Sequence, residues 1–556
     1  MTTLVAKPQK TVTLRFIETS DVHGAFFPYN FIERKPMEGT LARVSTYIKK
    51  QRQQYGKNLI LLENGDILQG QPTCYWSNFI VTNQPNVAAE VVNYLKYDAQ
   101  TFGNHDVETG HAVYDKWIRD LQCPTLGANI IDKKSGKPYV EPYLMLERDG
   151  VRIAVLGMLT PAIPNWLHES LWSGMYFEEM IGCARKWVKT LREKEQANIV
   201  IGLFHSGWEG GIVTPEYEED VAQKMADQVP GFDVIFFGHD HTPRNTTRNG
   251  VLCLDPTCNA MKVAQATLQI RDGKVIKKQG ELIDITKEDI DQDFMHHFQP
   301  RIDSIRHYVE RQIGTFLVAM NSRDAFFGSA AFTDIIHELQ LEHTGADISL
   351  TAPLIFDTEI KAGPIYMSDM FKLYRYENKI YVLRMTGREI RNHLEMSYNQ
   401  WVNTMTSPDD HIMLLNESTQ NDLQRFGFKN LTFNFDSAAG IDYEVDVTKP
   451  DGQKVHILQL SDGRPFEEDA WYRVVMNSYR GNGGGELLVR GAGIPLDSIP
   501  SRILYMSDRD QRYYLTQKIE QLGEISPKAL NNWRFVPEAW AIPACQRDRK
   551  LIFKEK

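Results

Sequence analysis

The sequence predicts a layered α/β domain followed by a mixed α+β domain, on three observations. The chain has 556 residues, more than one hydrophobic core usually serves, and is 42% hydrophobic and 24% charged, a globular composition. Short β-rich runs in the first half each end in a polar cluster, with helical stretches between several of them. From about residue 315 this pattern gives way to longer helical segments and separate strand-like runs.

In the first half, TLRFIE leads into TSDVHG, NLILLE into NGD, DAQTF into GNHD, VRIAVLGML into TP, ANIVIGLF into HSG and FDVIFF into GHDHT. Apolar runs bounded by turn signals suit buried strands. ARVSTYIKKQRQQ and CARKWVKTLREKEQ have the spacing of helices. AQATLQIRDGKVIKKQGELI reads as a hairpin with an Asp-Gly turn and closes a first domain spanning 12–285. Residues 286–314 read as a polar linker helix broken at Pro300, with His296, His297 and His307 on solvated faces. Helical SAAFTDIIHELQLEHTG, then ADISLTA, FKNLTFNFDSAAGIDYEVDV and YRVVMNSYRGNGGGELL, give a second domain over 315–535. Residues 536–556 are too few for a domain and read as a tail.

A formal net charge of −10 and the lack of any Lys/Arg block exclude a nucleic-acid polymer as the expected partner. No run of 18 apolar residues occurs, so no membrane-spanning helix is expected. Six cysteines lack CxxC spacing and read as buried thiols, although Cys253 and Cys258 are near enough in sequence to pair. MTTLVAKPQKTV holds no complete signal peptide, and TTLVA is compatible with the remnant of one.

The polar clusters carry the chemistry. Asp21 and His23 form D-x-H, Asp66 ends ENGD, Asn104 and His105 sit in GNHD, His205 opens HSG, and His239 and His241 flank Asp240 in GHDH. In an extended strand end, residues i and i+2 face the same way, so D-x-H and H-x-H each aim two side chains at one point. Imidazole with carboxylate suits Zn, Mn, Fe or Co better than Ca or Mg. Seven ligands (Asp21, His23, Asp66, Asn104, His205, His239, His241) exceed the needs of one ion and suit two that share a carboxylate, an arrangement fit for phosphate-ester hydrolysis. D-x-H, Gly-Asp or one histidine alone says little; GNHD and GHDH, ordered and each at a strand end, say much more.

This ordered set resembles the calcineurin-like metallophosphoesterases over roughly residues 12–285. The resemblance implies a four-layer β-sandwich flanked by helices and two divalent metal ions, Mn, Zn or Co. Asp21, His23 and His241 would hold the first, Asn104, His205 and His239 the second, and Asp66 would bridge. His105 would act on the leaving group, with Gly103 turning the chain out of its strand. Glu108, three residues on, matches a position where relatives carry an orienting Asp or an Asn.

The second half, through SAAFTDIIHELQLEHTGADISLTAP, YENKIYVLRMTGREIRNHLE and NSYRGNGGGE, resembles the C-terminal α+β domain of the 5′-nucleotidase and 2′,3′-cyclic phosphodiesterase group. There two aromatic rings clamp the nucleobase, and the matching positions are Phe435 and Tyr479. Asn378 matches a substrate contact, and Gly483 and Gly484 lie in the loop that closes on base or ribose. Arg375, Arg384 and Arg480 have no role in this scheme and read as solvated. Gly485 stands where 5′-nucleotidases usually carry Asp, and the G-G-x-R pattern typical of them is missing from APLIFDTEI. The expected activity is therefore a 2′,3′-cyclic-nucleotide phosphodiesterase and 3′-nucleotidase, periplasmic or extracellular, acting as a monomer on a nucleotide. The alternatives are a 5′-nucleotidase or UDP-sugar hydrolase and, in another class, a nucleotide-binding protein without catalysis. That last reading predicts missing ligands, and all seven positions are filled.

Overall fold

A computed structural model describes residues 11–416 and 427–555; the TTLVA stretch lies outside them. The chain divides into two units, Met1–Pro164 with His168–Tyr308, and Asn165–Leu167 with Val309–Lys556.

The first unit is a β-sandwich with helices outside. One six-stranded sheet runs Lys274–Asp284, Lys262–Arg271, Val12–Thr19, Leu59–Glu63, Ala99–Thr101, Thr125–Leu126. The other runs Arg244–Arg248, Val251–Asp255, Val234–Phe237, Ile199–His205, Val151–Leu159, Tyr143–Arg148. Strand alternation explains the layers. Leu14 and Phe16 of one sheet share a core with Ile201, Leu203, Val234 and Phe236 of the other. The intervening Val200, Phe204, Ile235 and Phe237 face outward against the helices Met180–Glu193 and Ala222–Gln228. On the far side, Tyr47 of helix Leu41–Tyr55 hydrogen-bonds Gln265. The Lys262–Asp284 hairpin turns at Asp272 and Gly273, both at positive φ.

The expected linker helix is Gln292–Val309, and Pro300 does not break it. Asp291 Oδ1 accepts from the Asp293 and Phe294 amides at its start. Phe294 and Phe298 pack 4.7 Å apart, with Phe27 and Tyr94 around them. That buried aromatic face holds the helix on the first unit and outweighs the hydrogen bond that proline removes.

The second unit centres on a five-stranded sheet in the order Ser437–Ala439, Ile348–Thr351, Trp471–Asn477, Lys379–Thr386, Ile503–Asp510. A three-stranded sheet joins Val455–Leu460, Ile441–Asp446 and Trp533–Val536. The segment read as a tail forms the helix Glu538–Phe553, whose Ala541 and Ala544 belong to this unit's core. Cys253 and Cys258 are not joined to each other; Cys74, Cys183 and Cys253 are buried and Cys123, Cys258 and Cys545 half-buried. Among the described residues no helix is long and apolar enough to cross a membrane.

Candidate functional site

The seven metal-ligand candidates gather where parallel strands end. Asp21 and His23 follow Val12–Thr19, Asp66 follows Leu59–Glu63, and Asn104 follows Ala99–Thr101. His205 ends Ile199–His205, and His239 and His241 follow Val234–Phe237. Asp21, His23 and His241 each bring a ligating atom within 4.8 Å of the others, as do Asp66, His205 and His239. Asn104 Oδ1 lies 3.1 Å from His205 Nε2 and so joins the second group.

Five of the seven have positive φ: Asp21 51°, His23 48°, Asp66 55°, His239 79° and His241 56°. Such a conformation costs a non-glycine residue on the order of 1 kcal/mol or more, and it persists where the surrounding structure demands it. The glycines of the two motifs serve close approach. Gly103 has ordinary extended geometry, φ −104° and ψ 169°, so it is not there to turn the chain as expected. A Cβ on Gly103 would lie 2.0 Å from Asp66 Oδ1, and one on Gly238 would lie 2.4 Å from Asp21 Oδ2.

The donor set fits metal ions. His23 and His241 face each other through Nε2 at 3.1 Å, His241 Nε2 is 3.3 Å from Asp21 Oδ1, and His205 Nε2 is 3.3 Å from Asp66 Oδ2. Ligands about 2.0–2.1 Å from a tetrahedral ion stand roughly 3.3 Å apart. Asp21 Oδ1 is fully buried and accepts no hydrogen bond. Three histidines engage their other ring nitrogen on the protein, which orients them for an ion. His205 Nδ1 meets Asn64 O at 2.7 Å, His23 Nδ1 meets Gln69 O at 3.3 Å, and His239 Nε2 meets Glu219 Oε1 at 2.9 Å.

Burial opposes charge throughout the cluster. On His205 the Asp66 and Asp21 carboxylates outweigh it and keep the ring protonated up to about 9. Burial, helped by the facing His241, holds His23 neutral down to about 3. Asp21 and Asp66 stay well below the usual carboxylate range, because the neighbouring imidazoles overcome the cost of burial. The carboxylates thus remain anionic and attract cations.

His105 sits beside the cluster, its ring 5.7 Å from that of His23. Its Nδ1 is 2.7 Å from Glu108 Oε2. Both lie on the short helix Asn104–Glu108, where i and i+3 share a face. The His105 amide donates to Asp66 Oδ1 at 2.9 Å, tying this helix to the ligand loop.

Two residues here had no assigned role in the sequence. Asp106 binds two loops together: its carboxylate accepts from the amides of Asp66, Ile67, Leu68 and Gly103 at 2.8–3.0 Å. Burial, then the Asp66 charge, raises it to about 6 despite those bonds. Its signal was the ligand-type residue left over in GNHD. Glu219 orients His239 while its Oε2 accepts from the Ile212 amide at 2.6 Å. Its backbone carbonyl takes the hydroxyls of Ser206 at 2.8 Å and Thr160 at 3.0 Å. No local motif marks it; it stands 14 residues beyond His205 and 20 before His239.

In the second unit the candidates separate. Phe435 is fully buried, stacked on Trp401 at 5.4 Å and 5° and edge-on to Phe428 at 5.3 Å. Its faces serve the core, which corrects the expectation that it stacks on a base. The half-exposed ring beside Tyr479 is Phe433, with centroids 6.0 Å apart and planes at 87°. Gly483 and Gly484 are buried, and a Cβ on Gly484 would lie 2.6 Å from the Tyr479 ring. A Cβ on Gly483 would instead lie 2.9 Å from Leu496, so the two glycines pack closely against different neighbours. Asn378 is buried and accepts from the Tyr374 hydroxyl at 3.2 Å. The next residue, Lys379, donates its amide to Ser478 Oγ at 3.0 Å, so Asn378 lies at the Tyr479 end of the sheet. Arg384 stacks on Trp471, with its guanidinium 4.1 Å from the ring. Arg480 is not solvated: it is 3% exposed.

Residues 14–243 match the calcineurin-like phosphoesterase family, and the first unit carries that fold with the candidate ligands gathered at its strand ends. The first unit is thus a calcineurin-like phosphoesterase domain. The second unit carries a 5′-nucleotidase C-terminal domain, matched over residues 312–490. The chain is 25% identical over 96% of its length to the trifunctional nucleotide phosphoesterase protein YfkN of Bacillus subtilis, spanning 39% of that longer protein. It is 26% identical over 96% of its length to a 2′,3′-cyclic-nucleotide 2′-phosphodiesterase/3′-nucleotidase of Haemophilus influenzae, spanning 89% of that protein. A crystal structure of a candidate 5′-nucleotidase from Staphylococcus aureus superposes with a TM-score of 0.80 at 20% identity, covering 94% of this chain and 99% of that one.

Proposed function

We propose that the chain hydrolyses nucleotide phosphoesters with two divalent ions, with 2′,3′-cyclic nucleotides and 3′-nucleotides as favoured substrates. The observation that carries this is the convergence of two imidazole–carboxylate groups at one sheet edge, with His105 beside them and held by a carboxylate. Asp21, His23 and His241 would hold one ion, Asn104, His205 and His239 the other, and Asp66 both. Mn, Zn or Co suits that set. Bound there, the ions supply Lewis acidity toward phosphate and water. The chain's own residues do the rest. With Nδ1 engaged by Glu108, proton donation to the departing alkoxide falls to His105 Nε2. The Glu108 carboxylate holds one tautomer and favours the protonated ring. In the second unit Tyr479, paired with Phe433, offers a ring face for the base.

The names of relatives matched over most of both chains favour the cyclic and 3′ substrates over 5′-nucleotides. An exported monomer belongs to the same reading. A panel of 2′,3′-cAMP, 3′-AMP, 5′-AMP and UDP-glucose, each with Mn²⁺, Co²⁺ or Zn²⁺, tests it. Turnover is expected for the first two. A higher kcat/KM on 5′-AMP or UDP-glucose would move the chain to the 5′-nucleotidase or UDP-sugar hydrolase reading. No turnover with any metal would sink the enzyme reading.

A further inference from the structure

Arg480 is heavily engaged beside the Phe433–Tyr479 pair, with its guanidinium 5.6 Å from the centre of the Tyr479 ring. All five of its side-chain N–H groups find acceptors. Nε and Nη2 form a paired bond to Asp436 at 2.9 and 3.0 Å. Nη2 also donates to the Phe433 carbonyl at 2.9 Å, and Nη1 to Asn434 Oδ1 at 3.2 Å. Nη1 further reaches the Gly484 carbonyl at 2.5 Å. One guanidinium thus ties the turn that carries Phe433 to the glycine loop behind Tyr479. Its backbone is fixed as well: Asn477 Oδ1 accepts from the Arg480 amide at 2.8 Å.

The partners are themselves held. Asp436 also accepts from His393 Nε2 at 2.8 Å, and all three of Arg480, Asp436 and His393 are buried. The glycines make room for the arrangement. A Cβ on Gly485, at φ +68°, would lie 2.0 Å from Asn434 Oδ1 and 2.3 Å from Arg480 Nη1. Gly484 and Gly485 are therefore shaped by what they wrap, the Tyr479 ring and the Arg480 guanidinium.

The two rings now touch edge to face. A base held between parallel rings needs them about 7 Å apart, twice a contact distance of roughly 3.5 Å. Ring rotation must admit it, while the two backbone segments must stay where they are. Such an anchor needs a rigid, planar, multi-donor group, which lysine is not.

We propose that Arg480, through its bonds to Asp436, Asn434 and the Phe433 and Gly484 carbonyls, is the positioning residue that fixes the Phe433–Tyr479 pair for base recognition. This rests on the reading of the chain as a nucleotide phosphoesterase. The test is steady-state kinetics of the metal-loaded full chain on 3′-AMP and on glycerol phosphate, an ester without a base. The variants are Arg480→Lys, the milder Asn434→Ala, Tyr479→Ala and Phe433→Ala, with thermal melting of each.

In Arg480→Lys the ratio of kcat/KM for 3′-AMP to that for glycerol phosphate should fall tenfold or more, through KM, as it should in Tyr479→Ala and Phe433→Ala. Asn434→Ala should lower it severalfold. An unchanged ratio in folded Arg480→Lys, with a lowered ratio in Tyr479→Ala, overturns the proposal and leaves base stacking intact. Equal loss on both substrates makes Arg480 merely structural and overturns it too. Should Arg480→Lys not fold, an unchanged ratio in Asn434→Ala overturns it. If neither ring variant changes the ratio, the base-stacking reading itself falls.

Discussion

At the strand ends of the first unit's sheets stand aspartates, histidines and an asparagine, five of the seven where the backbone is strained. In the second unit, Phe433 of the Phe433–Tyr479 pair stands two residues from Phe435, which only fills the core. The two regions differ in what residue type says about role. A buried carboxylate or imidazole is expensive and needs a partner, so its presence at a strand end already points to chemistry. A phenylalanine is at home in the core, so its presence says nothing. Phe433 and Phe435 share a residue type and are separated by one residue, yet one is half-exposed and the other fully buried.

That contrast can be broken by mutation. Phe435→Ala should destabilise the second unit by about 3–5 kcal/mol, as large-to-small core changes do. Phe433→Ala should cost well under that and act on nucleotide KM instead. Similar losses of melting temperature in both would erase the distinction. At the first unit, Glu219→Ala should weaken divalent-metal affinity about 10- to 100-fold, because His239 loses its orienting carboxylate. Glu219→Gln, which keeps an acceptor, should lose less. Competition with a chelator reads this directly, and wild-type affinity in Glu219→Ala would reduce Glu219 to a loop residue.

The second unit's stability should also depend on pH. His337, buried between Ser349 and Ser437, is held neutral down to about 3 by burial. The unfolded chain takes up that proton near pH 6.5, so stability is lost as pH falls from there towards 3. The loss is about 1.4 kcal/mol per pH unit, and His337→Gln should flatten it. An identical slope in both proteins, in denaturant melts of the second unit's transition, would contradict this. The smallest expected change is Glu108→Gln: without that negative charge the imidazolium of His105 is less favoured, so the basic limb of the kcat profile should move to lower pH. An unmoved limb would leave Glu108 as a helix surface charge.

The first unit's strands and the clustering of its ligands were legible because apolar runs and ligand types are both local signals. Asp106 and Glu219 were not, since they act through bonds to loops distant in sequence. The role of Gly103 was misread as a turn, because close approach to Asp66 Oδ1 is visible only in three dimensions. Pro300 was read as a break because the aromatic packing that keeps Gln292–Val309 helical comes from Phe27 and Tyr94, far away in the chain. Arg480 looked solvated because five acceptors from two separate segments cannot be read from one motif.

The central claim is that the strand-end cluster with His105 is a phosphoester-hydrolysing centre. The most direct measurement is turnover of 2′,3′-cAMP and 3′-AMP by wild type and His105→Ala, with bound metal quantified in the same samples. Equal metal content and a loss of turnover of about 10²–10⁴-fold are expected in the variant. Undiminished turnover with metal still bound would contradict the claim.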